Sequence, residues 1–248
     1  VTGSADLTLG TGLTAFAGNN SAADMTLNAA AATGDLTVTG TNFENITLGA
    51  GDDTLLLGAT QVSDTSTAGQ VVLNGGAGAN TLAFGAQNLA DAGLANQSVA
   101  TDNDSITNFQ TLTFEVVKTD AGQATDVDRA VDANAISGVT TIYTDMQNLE
   151  ASDSVDGDVG LTVSGIVAGQ TIQVSSLASA GNQADEDLIL NMDSPTGTTD
   201  AITLESVASA ATTAHVNSLA SVTVEQTTVS SVAQSVETLN LVATRADV

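Results

Sequence analysis

The chain has 248 residues, 42% of them hydrophobic and 2% aromatic, and three basic residues face 29 acidic ones for a net charge of −26. That imbalance excludes nucleic acid and an anionic membrane surface as electrostatic partners, because phosphate binding needs clustered Lys and Arg. There is no Cys, which excludes disulfides, thiolate metal sites and Cys nucleophiles, and no Trp, so a core must be built mainly from Ala, Val, Leu and Ile in thin, repetitive layers.

Short triplets of the form apolar, Thr, apolar begin at once: Leu7-Thr8-Leu9, Met25-Thr26-Leu27, Leu36-Thr37-Val38 and Ile46-Thr47-Leu48. A period of two with aliphatic and β-branched residues predicts strands. Next comes Leu48-Gly49-Ala50-Gly51-Asp52-Asp53-Thr54-Leu55-Leu56, a glycine turn, acidic residues and an apolar strand. The same form returns as Gly75-Gly76-Ala77-Gly78-Ala79-Asn80-Thr81-Leu82-Ala83, with Asp53 and Asn80 spaced 27 residues apart. That spacing is a multiple of nine, and two weaker units, Leu57 to Thr65 and Ser66 to Asn74, fit between them. Glycine allows the chain to turn with positive φ. Stacked turns of this kind set carboxylates and carbonyls face to face, where a hard cation with oxygen ligands neutralises them.

These residues resemble the repeats-in-toxin nonapeptide, G-G-x-G-x-D-x-U-x, whose family builds a calcium-bound parallel β-roll. The resemblance implies calcium binding at Gly49, Gly51, Asp53, Gly76, Gly78 and Asn80, with Asp52 beside them as a further ligand. Leu48 stands where the pattern has Gly, and Asn80 where it has Asp. Tight solenoid turns without a metal are the other reading of the same residues.

Beyond Phe84 the pattern lapses. Gln87 to Asn103 is polar and small, with Asn88 to Leu94 as a helical turn, and Asp102 and Asp104 alternate in a turn that offers oxygen ligands. A soft boundary near Val117 divides the chain into domains 1–117 and 118–248. Asp128 to Ala135 reads as a short helix. Strand triplets then resume at Leu161-Thr162-Val163, Ile172-Gln173-Val174, Leu188-Ile189-Leu190, Ile202-Thr203-Leu204, Val222-Thr223-Val224 and Leu239-Asn240-Leu241. Their spacing fits either a solenoid or a β-sandwich.

A second repeat overlaps the first. Phe43-Glu44-Asn45-Ile46, Phe109-Gln110-Thr111-Leu112, Met146-Gln147-Asn148-Leu149 and Val236-Glu237-Thr238-Leu239 share one form. In each, an apolar residue tucks under and a polar pair satisfies the turn before a strand. This style is similar to bacterial surface-layer proteins of the repeats-in-toxin type. The resemblance implies calcium-dependent β-solenoid or sandwich domains that tile a cell surface.

Asp153, Asp156 and Asp158 surround Gly157 like half of a calcium loop, but no distal Glu or flanking helices complete an EF-hand. Asp185-Glu186-Asp187 is either a further cation cluster or a charged strand edge that discourages stray pairing. Catalysis finds little support. His215 is the one histidine, no G-x-S-x-G occurs, and no triad can be assembled. No window reaches the length of a transmembrane helix. The start at Val1 and the end at Val248 read as a processed form or an excerpt.

The expectation is an all-β chain: a right-handed parallel β-roll or β-solenoid of short strands, with the second half a solenoid or a β-sandwich. Its expected role is non-enzymatic. It would be an extracellular structural protein of the bacterial cell surface, self-assembling as a homopolymer into a layer or filament, with calcium bridging acidic turns. The alternative is a calcium-stiffened adhesin segment whose partner is a cell-surface glycan.

Overall fold

The computed structural model describes residues 1–10, 26–40, 45–57, 72–84, 105–118, 129–133, 136–148, 160–178, 187–192, 201–207, 221–226 and 238–243. Among these residues the structure is parallel β-sheet stacked as a β-solenoid, with no α-helix. The chain divides into two compact units. The first is Val1–Thr113 with Ala135–Val139, and the second is Phe114–Asn134 with Thr140–Val248.

In the first unit two sheets are laid down in alternation. One contains β2 (Leu7–Leu9), β5 (Leu36–Gly40), β7 (Thr54–Leu57) and β9 (Thr81–Phe84) as successive neighbours. The other contains β3 (Thr26–Asn28), β6 (Asn45–Thr47), β8 (Val72–Asn74) and β10 (Ser105–Thr107). A short pair, β1 (Thr2–Gly3) with β4 (Ala31–Ala32), joins the turns. Each passage through both sheets is one coil.

The register explains the triplets. Val38, Leu55 and Leu82 are direct partners across β5, β7 and β9, and all three are buried. Ile46 and Leu73 pair across β6 and β8 and are buried too. The threonine beside each core residue forms its own outward column, Thr37, Thr54 and Thr81. Parallel sheets are usually covered on both faces and read as continuous apolar runs. A solenoid leaves the outer face of each sheet in water, so its strands alternate, and β-branched Thr fits that outer surface. Each buried Leu or Ile contributes about 1.5–3 kcal/mol by leaving water, offset by the ordering of the chain.

The second unit repeats the plan. One sheet has β12 (Arg129–Asp132), β14 (Gly160–Ile166), β16 (Asp187–Met192) and β18 (Ser221–Gln226). The other has β11 (Thr111–Lys118), β13 (Thr141–Asn148), β15 (Thr171–Ala178), β17 (Ala201–Ser206) and β19 (Thr238–Ala243). All of their recorded pairings are parallel. Sandwiches are built from antiparallel sheets, so the second half is a solenoid. Val163 and Leu190 share one buried column, and Ile142 and Ile172 another. A β-bulge between Val163 and Ile166 falls at Gly165, whose φ is 75°.

One expectation is corrected. The segment read as a helix from Asp128 to Ala135 contains strand β12, paired from Arg129↔Leu161 to Asp132↔Ser164. A segment so short is a marginal helix in isolation, and the ladder offered by β14 satisfies its main chain instead. The helical turn expected at Asn88 to Leu94 lies outside the described residues.

Candidate functional site

The two glycine-rich turns occupy equivalent places. Leu48–Asp53 joins β6 to β7, and Gly75–Asn80 joins β8 to β9. They stack one coil apart, with the Ala77 N–H donating to the Gly49 carbonyl at 2.9 Å. The coil before them takes part as well, since the Ala50 N–H donates to the Ala32 carbonyl at 2.9 Å. The predicted glycines are points of close approach between coils. A Cβ on Gly49 would lie 2.4 Å from the Ala32 carbonyl oxygen, and one on Gly51 would lie 2.6 Å from that of Gly34. One on Gly78 would lie 2.3 Å from the Gly51 oxygen, and one on Gly76 only 2.0 Å from the Gly49 oxygen. Gly76 also has φ +80°, in the left-handed region that side chains disfavour.

Two columns of acceptor side chains run through these turns in opposite senses. The outer column is acidic. Asp6 Oδ1 accepts the Asp35 N–H at 3.1 Å, Asp35 Oδ1 accepts the Asp52 N–H at 2.8 Å, and Asp52 Oδ1 accepts the Ala79 N–H at 2.8 Å. Each carboxylate thus caps the main chain of the next coil, and all three residues are exposed. The inner column, buried at Asp53 and Asn80 and half-buried at Gln110, points the other way. Asp53 Oδ1 accepts the Leu36 N–H at 2.8 Å, Asn80 Oδ1 accepts the Asp53 N–H at 2.9 Å, and Gln110 Oε1 accepts the Asn80 N–H at 2.7 Å.

Asp53 and Asn80 are wholly buried, and each makes a further bond. The second Asp53 oxygen accepts the Gly49 N–H at 2.9 Å, and Asn80 Nδ2 donates to the Asn108 carbonyl at 3.0 Å. A buried carboxylate would be costly alone, and main-chain donors on both oxygens offset that cost. The sequence spacing of these links is 17, 27 and 30 residues. Coil length varies while the capping link persists. The reading of Phe109–Gln110 as a tucked apolar residue and a turn-satisfying polar one holds, with Phe109 fully buried.

Comparison with known proteins places no family on this chain: no family model matches it, and no curated protein or solved structure is detectably similar. Among the described residues, no group of three or more His, Asp or Glu side chains is placed to hold a metal ion. Asp102, Asp104, Asp153, Asp156 and Asp158 lie outside the described residues, as do His215 and most of the two weaker nine-residue units. The structure adds Asp6, Asp35 and Asn108, which neither sequence repeat contains. The signal for Asp35 was present in Gly34-Asp35-Leu36, which repeats the spacing of Gly51-Asp52-Asp53 with Leu36 in the acidic place.

Burial pushes the Asp53 carboxyl above its ordinary value of 3.8, the Leu36 and Gly49 N–H groups pull it down, and the charges of Asp35 and Asp52 push it up. The net direction is upward. The folded chain therefore holds this proton more tightly than the unfolded chain does. The stability linked to it is fully present below the unfolded value and is lost as pH rises through the raised folded value. The urea midpoint of the first unit is expected to fall across that window. Asp53→Asn, which has no proton to release, removes this part of the slope. Parallel pH profiles for the two proteins would contradict the assignment.

Proposed function

We propose that this chain is a structural protein of the bacterial cell surface, of the surface-layer type, that self-assembles outside the cell with calcium at its acidic turns. The observation that carries the reading is the exposed column Asp6, Asp35 and Asp52, one carboxylate per coil. Strand spacing sets such groups about 4.8 Å apart along the stack. Like charges in a row repel, and a net charge of −26 adds to that repulsion. Cations from the medium relieve it.

Calcium takes six to eight oxygens at about 2.3–2.6 Å. One copy's column supplies single carboxylates, so main-chain carbonyls or a second copy complete the shell. An ion held in that way is a bridge between copies. The fold agrees with such a role, because the stacked strands of a solenoid offer regular faces for packing even where coil length varies. On β19, Leu239, Leu241 and Val242 are exposed, although Ile202, the partner of Leu239, is buried. An apolar ladder edge of this kind favours association with further β-structure. Extracellular calcium modules bind with Kd of roughly 10⁻⁴–10⁻³ M, so the surroundings supply the ion.

Negative-stain microscopy of the purified chain, in calcium and then in chelator, tests the reading. Regular sheets or filaments that dissolve on chelation are expected. Assemblies that survive chelation remove calcium from the account and keep the structural role. A chain that is monomeric in both conditions overturns self-assembly and favours an adhesin segment.

A further inference from the structure

Asn74-Gly75 is the one Asn–Gly pair in the sequence. Glycine has no side chain to hinder the approach of its main-chain nitrogen to the preceding amide carbon. In such a pair, the deprotonated Gly75 nitrogen attacks Asn74 Cγ. A new C–N bond closes a five-membered imide, the Cγ–Nδ2 bond breaks, and the amide leaves as ammonia with a proton from solvent. Water then opens the imide to aspartate or to isoaspartate, in which the main chain runs through Cγ. No oxidant or enzyme is required.

The fold keeps the reacting atoms apart. Asn74 ends β8 in extended register between Thr47 and Thr107. Its Oδ1 accepts the Gly76 N–H at 2.8 Å and Asn108 Nδ2 at 2.8 Å. The attacking nitrogen is also engaged, since the Gly75 N–H donates to the Thr107 carbonyl at 3.0 Å. The space around it is filled, and a Cβ on Gly75 would lie 2.3 Å from the Asn108 oxygen. Cyclisation requires deprotonation of the Gly75 nitrogen, which ends its bond to Thr107, and rotation about Asn74, which the bonds at Oδ1 oppose.

We propose that Asn74 is a conformationally sealed deamidation site: the coil that carries β10 closes it, and it converts once that coil lifts away. The conversion is one-way. Isoaspartate lengthens the main chain between β8 and the Gly75–Asn80 turn. Gly76 then no longer sits on the Gly49 carbonyl, nor Asn80 on the Asp53 N–H. A lapse of folding is thereby recorded covalently in the coil. The inference is independent of calcium and of self-assembly.

The test incubates the full chain in mildly alkaline buffer, folded and urea-unfolded, and measures aspartate and isoaspartate at position 74 by peptide mapping. Circular dichroism of each sample reports the fold. The folded chain is expected to convert at least about tenfold more slowly, the factor set by an opening cost of about 1.4 kcal/mol. Equal rates, with the β-structure intact, overturn the proposal. Asn108→Gly provides the second arm. It removes the Nδ2 donor and suits the positive φ of 62° at that position. This variant, still folded, is expected to convert faster than the wild type, and an unchanged rate overturns the part assigned to Asn108.

Discussion

Replacing Asp53 with Ala lowers the stability of the first unit by about 3 kcal/mol. The substitution strands two buried donors, the Leu36 and Gly49 N–H groups, and each unpaired buried group costs about 1–3 kcal/mol. Removing a carboxylate that faces the charges of Asp35 and Asp52 returns part of that loss. Asp53→Asn is milder, because one oxygen remains to accept one donor. Asp52→Ala is the control. It also removes an acceptor, from the Ala79 N–H, but in an exposed position, where water replaces it at a cost of about 0.5–1.5 kcal/mol. Urea denaturation followed by circular dichroism ranks the variants. Equal losses for Asp52→Ala and Asp53→Ala would mean that the inner column is not buried in the way described.

Gly76→Ala has an effect of similar size for a different reason. Its left-handed backbone costs a side chain about 1–2 kcal/mol. Its Cβ would also lie 2.0 Å from the Gly49 carbonyl oxygen, a main-chain atom that can yield only if the coils separate. A total loss of about 3–5 kcal/mol is expected. Two comparisons separate the causes. Gly49→Ala brings a close contact, with the Ala32 oxygen at 2.4 Å, but no positive φ. Gly169→Ala in the second unit has φ +89° with open space around it, so it loses only about 1–2 kcal/mol. A Gly76→Ala variant no less stable than Gly169→Ala would show that the coils do not approach this closely.

Much of the solenoid was legible because its physical cause is simple. Inward Leu55 and outward Thr54 alternate with the pleat, and stacked coils repeat the alternation. Strands that depart from it were not legible. In β10 only Ile106 is apolar, and β13 buries a threonine, Thr144, whose hydroxyl reaches the Gln173 carbonyl at 3.3 Å. Neither carries the triplet, and their pairing comes from neighbours distant in sequence.

The spacing of Asp53 and Asn80 was visible in the sequence, and most of the two weaker units between them lies outside the described residues. The Asp53 N–H reaches Asn80 Oδ1 directly, so 27 residues make one coil. The preceding coil closes in 17, and Leu36 takes part through its main chain. Periodicity in sequence could not show that a turn is conserved while the length of the coil is not. Composition did identify oxygen acceptors at these turns. Whether an acceptor faces inward, like Asp53, or outward, like Asp52, depends on the path of the turn, and adjacent identical residues cannot reveal it.

Side-chain oxygens hold the amides at the turns: from a neighbouring coil at Leu36, Asp53 and Asn80, and from Asp53 of the same turn at Gly49. Amide hydrogen exchange of the intact chain tests it most directly at Leu36, Gly49, Asp53 and Asn80, whose N–H groups are bonded to side-chain oxygens. Protection comparable to that of Thr81, whose N–H is bonded to the Asp53 carbonyl, is expected. Exchange of these four amides at the rate of open turns, with Thr81 still protected, would contradict it.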